Sequence, residues 1–177
     1  MMILRVSLTH IILLLLVQAS FSQEAAQAAQ VQNPKFAKVI DKYLDESVPL
    51  INVDQLNTNK EEYIILDARE PNEYMVSHIP DARCIGYDRP DYSVLKDLDK
   101  DTKIVVYCSI GYRSEKIGEK LAEQGFNNVY NLYGSIFEWG NKNYPLEDFR
   151  GRTTNEIHGY NKKWSKWIEN ESLEISY

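Results

Sequence analysis

The sequence predicts an α/β fold, in which a mainly parallel sheet is covered by helices on both faces. Three observations carry this reading. Short apolar runs alternate with helix-like segments through the middle of the chain, the pattern of repeated strand–helix–strand units. The run "KIVVYC", residues 103–108, is apolar on consecutive positions instead of every second one, as a parallel strand buried on both faces requires. Helix signals fall where crossovers are needed, with Pro71 at one start and Gly125 at one stop. Right-handed crossovers then restrict the topology to a few choices.

Taken in order, Asn33-Pro34 reads as an N-cap followed by proline at the first helical position. Phe36, Val39, Ile40, Tyr43 and Leu44 follow at helical spacing, so a short amphipathic helix is expected. "VPLINVDQL" reads as a short strand and a turn, and "EYIILDA" as a strand ending at Asp67. "EPNEYMVSH" is a short helix starting with Pro71, "ARCIGY" a strand and "YSVLKDL" a short helix. After "KIVVYC" a helix is expected from Arg113 to Gln124, with Ile117 and Leu121 on one face and Gly125 as its C-terminal stop. "NNVYNL" is the next strand and "SIFEWGNKN" the last helix of the alternation. Beyond it, Tyr160, Trp164, Trp167 and Ile168 are spaced as one helix face, with Lys162, Lys163 and Lys166 on the other. Residues 148–177 are therefore expected to form a helical extension. It either packs back on the domain or serves a protein partner or membrane surface.

The chain has 177 residues and a net charge of −6, enough for one domain with a real core. The acidic balance, without a basic block, argues against a nucleic-acid partner. Residues 1–22 read as a secretory signal: Arg5, an apolar stretch over 11–17, then small residues that suit cleavage after Ser22, with Ala19 as a second site. The apolar stretch is too short to span a bilayer, so the mature form is not expected to be membrane-embedded, and an exported product, periplasmic or secreted, follows. An uncleaved anchor is the rival reading. Residues 23–32, Ala- and Gln-rich, read as a linker. Two cysteines, Cys84 and Cys108, would enter an oxidising compartment. A single structural disulfide is the plain reading, but a domain of this size does not need one. Cys84 reads as a core residue that could resolve an intermediate on Cys108 if it reached it.

Cys108 stands at the carboxyl end of a strand, where open parallel sheets build their sites. The segment Ser109, Ile110, Gly111 and Tyr112 must turn sharply into the helix near Arg113, and Gly111 supplies the backbone freedom. Amides of such a turn point inward, and the helix N-terminus adds partial positive charge. A thiol there is pushed toward thiolate, the reactive form. Arg113 adds a fixed charge whose fork either meets an oxyanion or locks the loop. Two chemistries use this arrangement: phosphate-ester hydrolysis through phosphocysteine, and sulfur transfer through a cysteine persulfide.

The segment "CSIGYRS", with four residues between Cys108 and Arg113, resembles the active-site loop of rhodanese-like sulfurtransferases. Cysteine-dependent phosphatases have five residues in that gap. Two further blocks agree: "LDAREPNEYMVSHIPDA" resembles the family's Asp-x-Arg, Glu-Tyr and His-Ile signature, and "YNLYGSIFEWGNKNYPL" its closing segment. Ser77 and Ser135 stand where glycine is usual, and the loop carries no charge besides Arg113. The resemblance covers roughly residues 50–147 and implies a three-layer α/β/α fold with a five-stranded parallel sheet, over a domain of residues 33–147. It also implies a single-domain sulfurtransferase that moves sulfane sulfur from a donor such as thiosulfate to cyanide or a thiol through a Cys108 persulfide. The loop, Ser109, Ile110, Gly111, Tyr112 and Arg113, would bind substrate, and Asp67, Arg69 and Ser114 would support it.

No cofactor is implied, and the three scattered histidines show no metal-ligand spacing. Asp67 and Arg69 read as architecture around the loop more than as chemistry, and His78 as a structural hydrogen-bonding residue. Two other functions stay open. One is a non-catalytic module that senses sulfur or redox state, or binds a partner through the C-terminal helix. The other is a phosphatase or arsenate reductase on the same fold.

Overall fold

In the computed structural model, residues 31–177 are described; the expected signal segment, residues 1–22, and the expected linker residues before Val31 lie outside the described residues. Helix α1 (Pro34–Ile40) starts where the sequence places it. Asn33 Oδ1 accepts the amides of Lys35 and Phe36 at 2.7 and 3.3 Å, and Pro34 fills the position with no amide to satisfy. Phe36 and Ile40 are completely buried.

The sheet has five parallel strands: β1 (Leu50–Ile51), β2 (Ile64–Asp67), β3 (Arg83–Cys84), β4 (Lys103–Tyr107) and β5 (Asn128–Leu132). Their spatial order is β1-β5-β4-β2-β3, which makes β4 the central strand. Its continuous apolar run now has a cause. Val105 and Tyr107 enter one core with Phe36, Leu56 and Trp139, while Ile104 and Val106 enter the other with Leu66, Ile117 and Leu121. Successive side chains of a strand point to opposite faces, so a strand covered on both must be apolar throughout. Helix α4 (Tyr112–Glu123) supplies Ile117 and Leu121, and Gly125, at φ 89°, ends that turn of chain. Helices α3 (Pro71–Val76) and α5 (Ser135–Asn141) also match expectation. Register pairs Asp67 with Tyr107, so the residues just past β2 and β4 emerge side by side. Among the described residues no helix is long and apolar enough to cross a membrane.

Several elements differ from the sequence reading. Where a turn was expected after β1, helix α2 (Val53–Thr58) forms. Asn52 and Gln55 make a reciprocal capping box, and Val53 and Leu56 drive the segment into the core. Strand β3 is only two residues long, because the amides of Ile85 and Gly86 both turn onto Asp67 O at 3.0 and 3.1 Å. "YSVLKDL" yields a 3₁₀ turn at Tyr92–Leu95.

The largest correction concerns residues 148–177, which form no α-helix. Strand β6 (Leu146–Glu147) pairs antiparallel with β7 (Thr153–Thr154), and β8 (Glu156–His158) pairs in parallel with β9 (Glu174–Ser176). Between them lies one 3₁₀ turn, Ser165–Trp167. A longer helix is blocked at both ends. Tyr160 is left-handed at φ 61°, and Asn141 Oδ1 takes the amide of Glu169 at 2.7 Å, holding Ile168 extended. The apolar spacing still had a meaning. Trp167 stacks on Phe36 with centroids 5.4 Å apart, Trp164 meets Tyr43 edge-on at 5.1 Å, and Ile168 is buried. The extension therefore shares the domain's core, with Ile157 completely buried in it.

This packing makes a quantitative demand. Ile157→Ala should destabilise the whole domain by about 2–5 kcal/mol in one cooperative urea transition. An extension that merely rested on a finished domain would leave the main transition unmoved.

Candidate active site

Cys108 follows β4 and is buried at the base of a cavity of about 530 Å³. Gly111 donates its amide to Cys108 Sγ at 3.2 Å and sits at φ 122°, the left-handed region in which a side chain would be strained. A Cβ at this position would also crowd Leu44 at 3.3 Å. Gly111 O accepts from Asn131 Nδ2 at 3.0 Å, and Ser114 Oγ donates to Asn131 Oδ1 at 2.7 Å. From the other side, the amides of Ile136 and Phe137 reach the carbonyls of Cys108 and Ser109 at 3.2 and 3.3 Å. Ser135 adopts φ 52°, a conformation costly for a non-glycine residue; its hydroxyl accepts the Cys108 amide at 3.1 Å and donates to Leu132 O at 3.0 Å. The loop is thus fixed by β5 and α5, outside its own sequence.

Arg113 is the second fixed point. Its guanidinium makes a fork to Glu73, Nη1 to Oε2 at 2.6 Å and Nη2 to Oε1 at 2.8 Å, and Nη2 also donates to Ser109 Oγ at 3.0 Å. Burial pushes the Cys108 thiol up, but the Arg113 charge, the amides of Ser114 and Gly111 and the Ser114 hydroxyl outweigh it and hold the thiol below its usual range. Burial likewise pushes Glu73 up, and the Arg113 hydrogen bonds and charge, with Arg69, more than reverse it. Glu73 therefore stays a carboxylate and Arg113 stays paired.

Asp67 and Arg69 lie beneath this layer, both completely buried. Arg69 donates Nε to Asp67 Oδ1 at 3.0 Å, and its Nη2 to Asp67 Oδ2 and to Ser77 O, each at 2.6 Å. The Tyr107 hydroxyl donates to Asp67 Oδ2 at 2.7 Å and accepts the Ile79 amide at 3.1 Å. His78 stacks on Tyr74 with centroids 3.9 Å apart and bridges Glu147 through backbone hydrogen bonds.

Of the residues picked out from sequence, Cys108, Ser109, Ile110, Tyr112 and Arg113 line the cavity together. Gly111 and Ser114 support the thiol from below, and Asp67 and Arg69 do not reach the cavity wall. Cys84 is half-buried, not the core residue expected from sequence, and its thiol and that of Cys108 are both free. Register places Cys84 opposite Asp67 and Asp67 opposite Tyr107, so Cys84 lies two strand spacings from β4, roughly 10 Å. That exceeds disulfide reach, and burial raises the Cys84 thiol to about 11. Sequence reasoning missed Glu73, Tyr107 and Asn131. Glu73 was visible only as part of the quoted Glu-Tyr pair. It also missed the cavity walls: Tyr43, Glu70, Tyr87, Asp88, Tyr160 and Trp164.

Fold and site together define a cysteine-loop α/β protein, with a thiolate-favouring cysteine at the carboxyl end of the central parallel strand. The model of the rhodanese-like domain matches residues 52–142, and the chain belongs to the rhodanese-like family. It is 31% identical over 81 residues to the thiosulfate sulfurtransferase GlpE of Pseudoalteromonas translucida, covering 46% of this chain and 76% of that one. It is 32% identical over 90 residues to GlpE of Coxiella burnetii, covering 50% and 81%. A tRNA uridine(34) hydroxylase of Cytophaga hutchinsonii is 34% identical over 98 residues, 53% of this chain but only 31% of the hydroxylase. Among solved structures, a Bacillus halodurans protein aligns with TM-score 0.53 at 26% identity, over 67% of this chain and 89% of that one. The rhodanese-like domain of an Anabaena protein shares the fold at TM-score 0.53 and 24% identity, over 57% and 80%.

Two outcomes follow from the geometry. Arg113→Met should raise the midpoint of the Cys108 alkylation-rate profile against pH, because the charge that offsets burial is gone. Tyr107→Phe, which strips Asp67 of a donor and leaves the Ile79 amide unpaired, should cost about 1–3 kcal/mol in urea denaturation.

Proposed function

We propose that the chain is a sulfurtransferase that carries sulfane sulfur on Cys108. The observation that carries this reading is a fully buried thiol held below its usual range by Arg113 and by loop amides, at the base of an open cavity. Such a thiolate attacks the outer sulfur of a donor. The donor's S–S bond breaks, its electron pair leaves with the remainder of the donor, and Cys108 becomes a persulfide. An acceptor thiolate then attacks the terminal sulfur, taking it as its own persulfide, and the electron pair returns to Cys108 Sγ as thiolate. No external oxidant or reductant enters, and the proton lost by the acceptor thiol ends on the product persulfide or in solvent. The Gly111 amide, 3.2 Å from Sγ, and the first turn of α4 stabilise negative charge in both half-reactions.

The likeness to the GlpE enzymes supports the reading over most of their length. The likeness to the tRNA hydroxylase covers a third of that enzyme, and a net charge of −6 suits a tRNA substrate poorly. Four residues between Cys108 and Arg113 favour a terminal sulfur over a phosphate ester. Export is part of the same reading and rests on the sequence of residues 1–22 alone.

Incubating the protein with thiosulfate and with organic polysulfides, then weighing it intact, should show an added sulfur atom that cyanide or a thiol removes. Cys108→Ala should show none. No adduct from any sulfane donor would overturn the proposal.

A further inference from the structure

The cavity above Cys108 differs from what a small inorganic dianion would need. Among the described residues Arg113 is the only basic side chain lining it, and its fork is already taken by Glu73. Two carboxylates, Glu70 and Asp88, also line it. Glu70 and Asp88 also border a neighbouring hollow beside Cys84, where Arg89 and Asp91 stand; Arg89 does not line the cavity above Cys108. With Arg113 paired to Glu73, two lining carboxylates stand against one guanidinium, and a Cys108 thiolate or persulfide at the base deepens that negative balance.

Apart from Ser109 and Ile110 the remaining wall is aromatic: Tyr43, Tyr87, Tyr112, Tyr160 and Trp164. Arg113 sits over the Tyr160 ring at 5.0 Å and Lys163 over Trp164 at 5.4 Å. Among the described residues, Tyr43, Tyr87 and Tyr112 carry no cation over their rings. A volume of about 530 Å³ is that of an organic-ligand pocket. Aromatic rings beside carboxylates favour a cation, through the ring quadrupole and through direct charge. Tyr43, Tyr160 and Trp164 lie outside residues 52–142, so this wall is built by α1's C-terminal side and by the extension, beyond the matched family domain.

We infer that the sulfur carrier taken by this cavity is an organic thiol or persulfide bearing a cationic amino group, with the amine held between Glu70, Asp88 and the aromatic wall. The inference rests on the sulfurtransferase reading for its sulfur but not for its charge preference. The amine end lies toward the carboxylates and the sulfur end toward Cys108, which leaves the transfer steps above unchanged.

Binding of unreactive thioethers to the full-length Cys108→Ser protein tests the preference without any sulfur transfer. Calorimetry should find 4-(methylthio)benzylamine bound about tenfold or more tighter than 4-(methylthio)benzoate, with 4-(methylthio)benzyl alcohol in between. In a Glu70→Gln, Asp88→Asn background, which keeps the Glu70 Oε1 acceptor for the Asp88 amide, the preference should fall to about threefold or less. Trp164→Leu or Tyr160→Leu should weaken the amine more than the alcohol. Benzoate binding as tightly as the amine, a preference untouched by removing the two carboxylates, or no binding of any of the three would overturn the inference. The mass of the sulfur-loaded wild type reports separately on the sulfurtransferase reading, so the two can fail independently.

Discussion

The ion pair between Glu73 and Arg113 is the contact on which the rest of the site depends. Glu73 comes from α3 and Arg113 from the first turn of α4, so the pair ties two elements that follow different strands. It fixes the exit of the cysteine loop and, with the Ser109 hydroxyl on the same guanidinium, the entry as well. Both partners are largely buried, with side-chain exposures of 3% for Glu73 and 13% for Arg113. A pair so desolvated adds little net stability, but breaking it strands a charge. Its value here is electrostatic and positional. It keeps a full positive charge beside the Cys108 thiol while leaving that charge without a free fork for an incoming anion.

A second buried layer holds the first. Asp67 ends β2, Tyr107 ends β4, and Arg69 reaches back to Ser77 O at the end of α3. This network stitches the carboxyl ends of two adjacent strands to the helix that carries Glu73. It is not fully satisfied: Arg69 Nη1 and the Ser77 hydroxyl are buried without a hydrogen-bond partner among the described residues. Burial alone would lower Arg69, and Asp67 more than restores it, so the guanidinium remains charged. The incomplete pairing fits a layer kept for geometry more than for stability.

Much of this was legible in the sequence, and the reasons are local. The central strand announced itself because both its faces are covered, and α4 because Ile117, Leu121 and Gly125 obey a helical period with a stop. Cys108, Gly111 and Arg113 were legible because a loop of fixed length needs those residue types. Glu73, Tyr107 and Asn131 were not, since each acts across 17 to 40 positions of chain. No local period records such a partner. The extension misled for the opposite reason. Its apolar spacing is helical, but a left-handed Tyr160 and the competing amide acceptor of Asn141 decide the backbone, and neither has a signal in hydrophobic periodicity.

The extension also changes what the matched domain can be. Residues 52–142 contain Cys108, its loop and its ion pairs, yet they leave the cavity open on the side where Tyr43, Tyr160 and Trp164 stand. Strand β8 sets that wall through His158. Its Nδ1 accepts the Tyr160 amide at 3.1 Å, which fixes the turn that lays the Tyr160 ring on Arg113. For this, His158 must be neutral, although Nδ1 lies 3.9 Å from the Glu73 carboxylate that would favour its cation. Burial lowers its affinity for a proton, and Arg69 and Arg113 oppose the pull of Glu73, so at neutral pH the ring is uncharged. Glu73 is thereby left to Arg113. Arg113, which holds the cysteine loop, and Arg69, which holds the layer beneath it, thus keep the extension's histidine in the state that seats Tyr160, and this couples the cavity wall to the surroundings of Cys108.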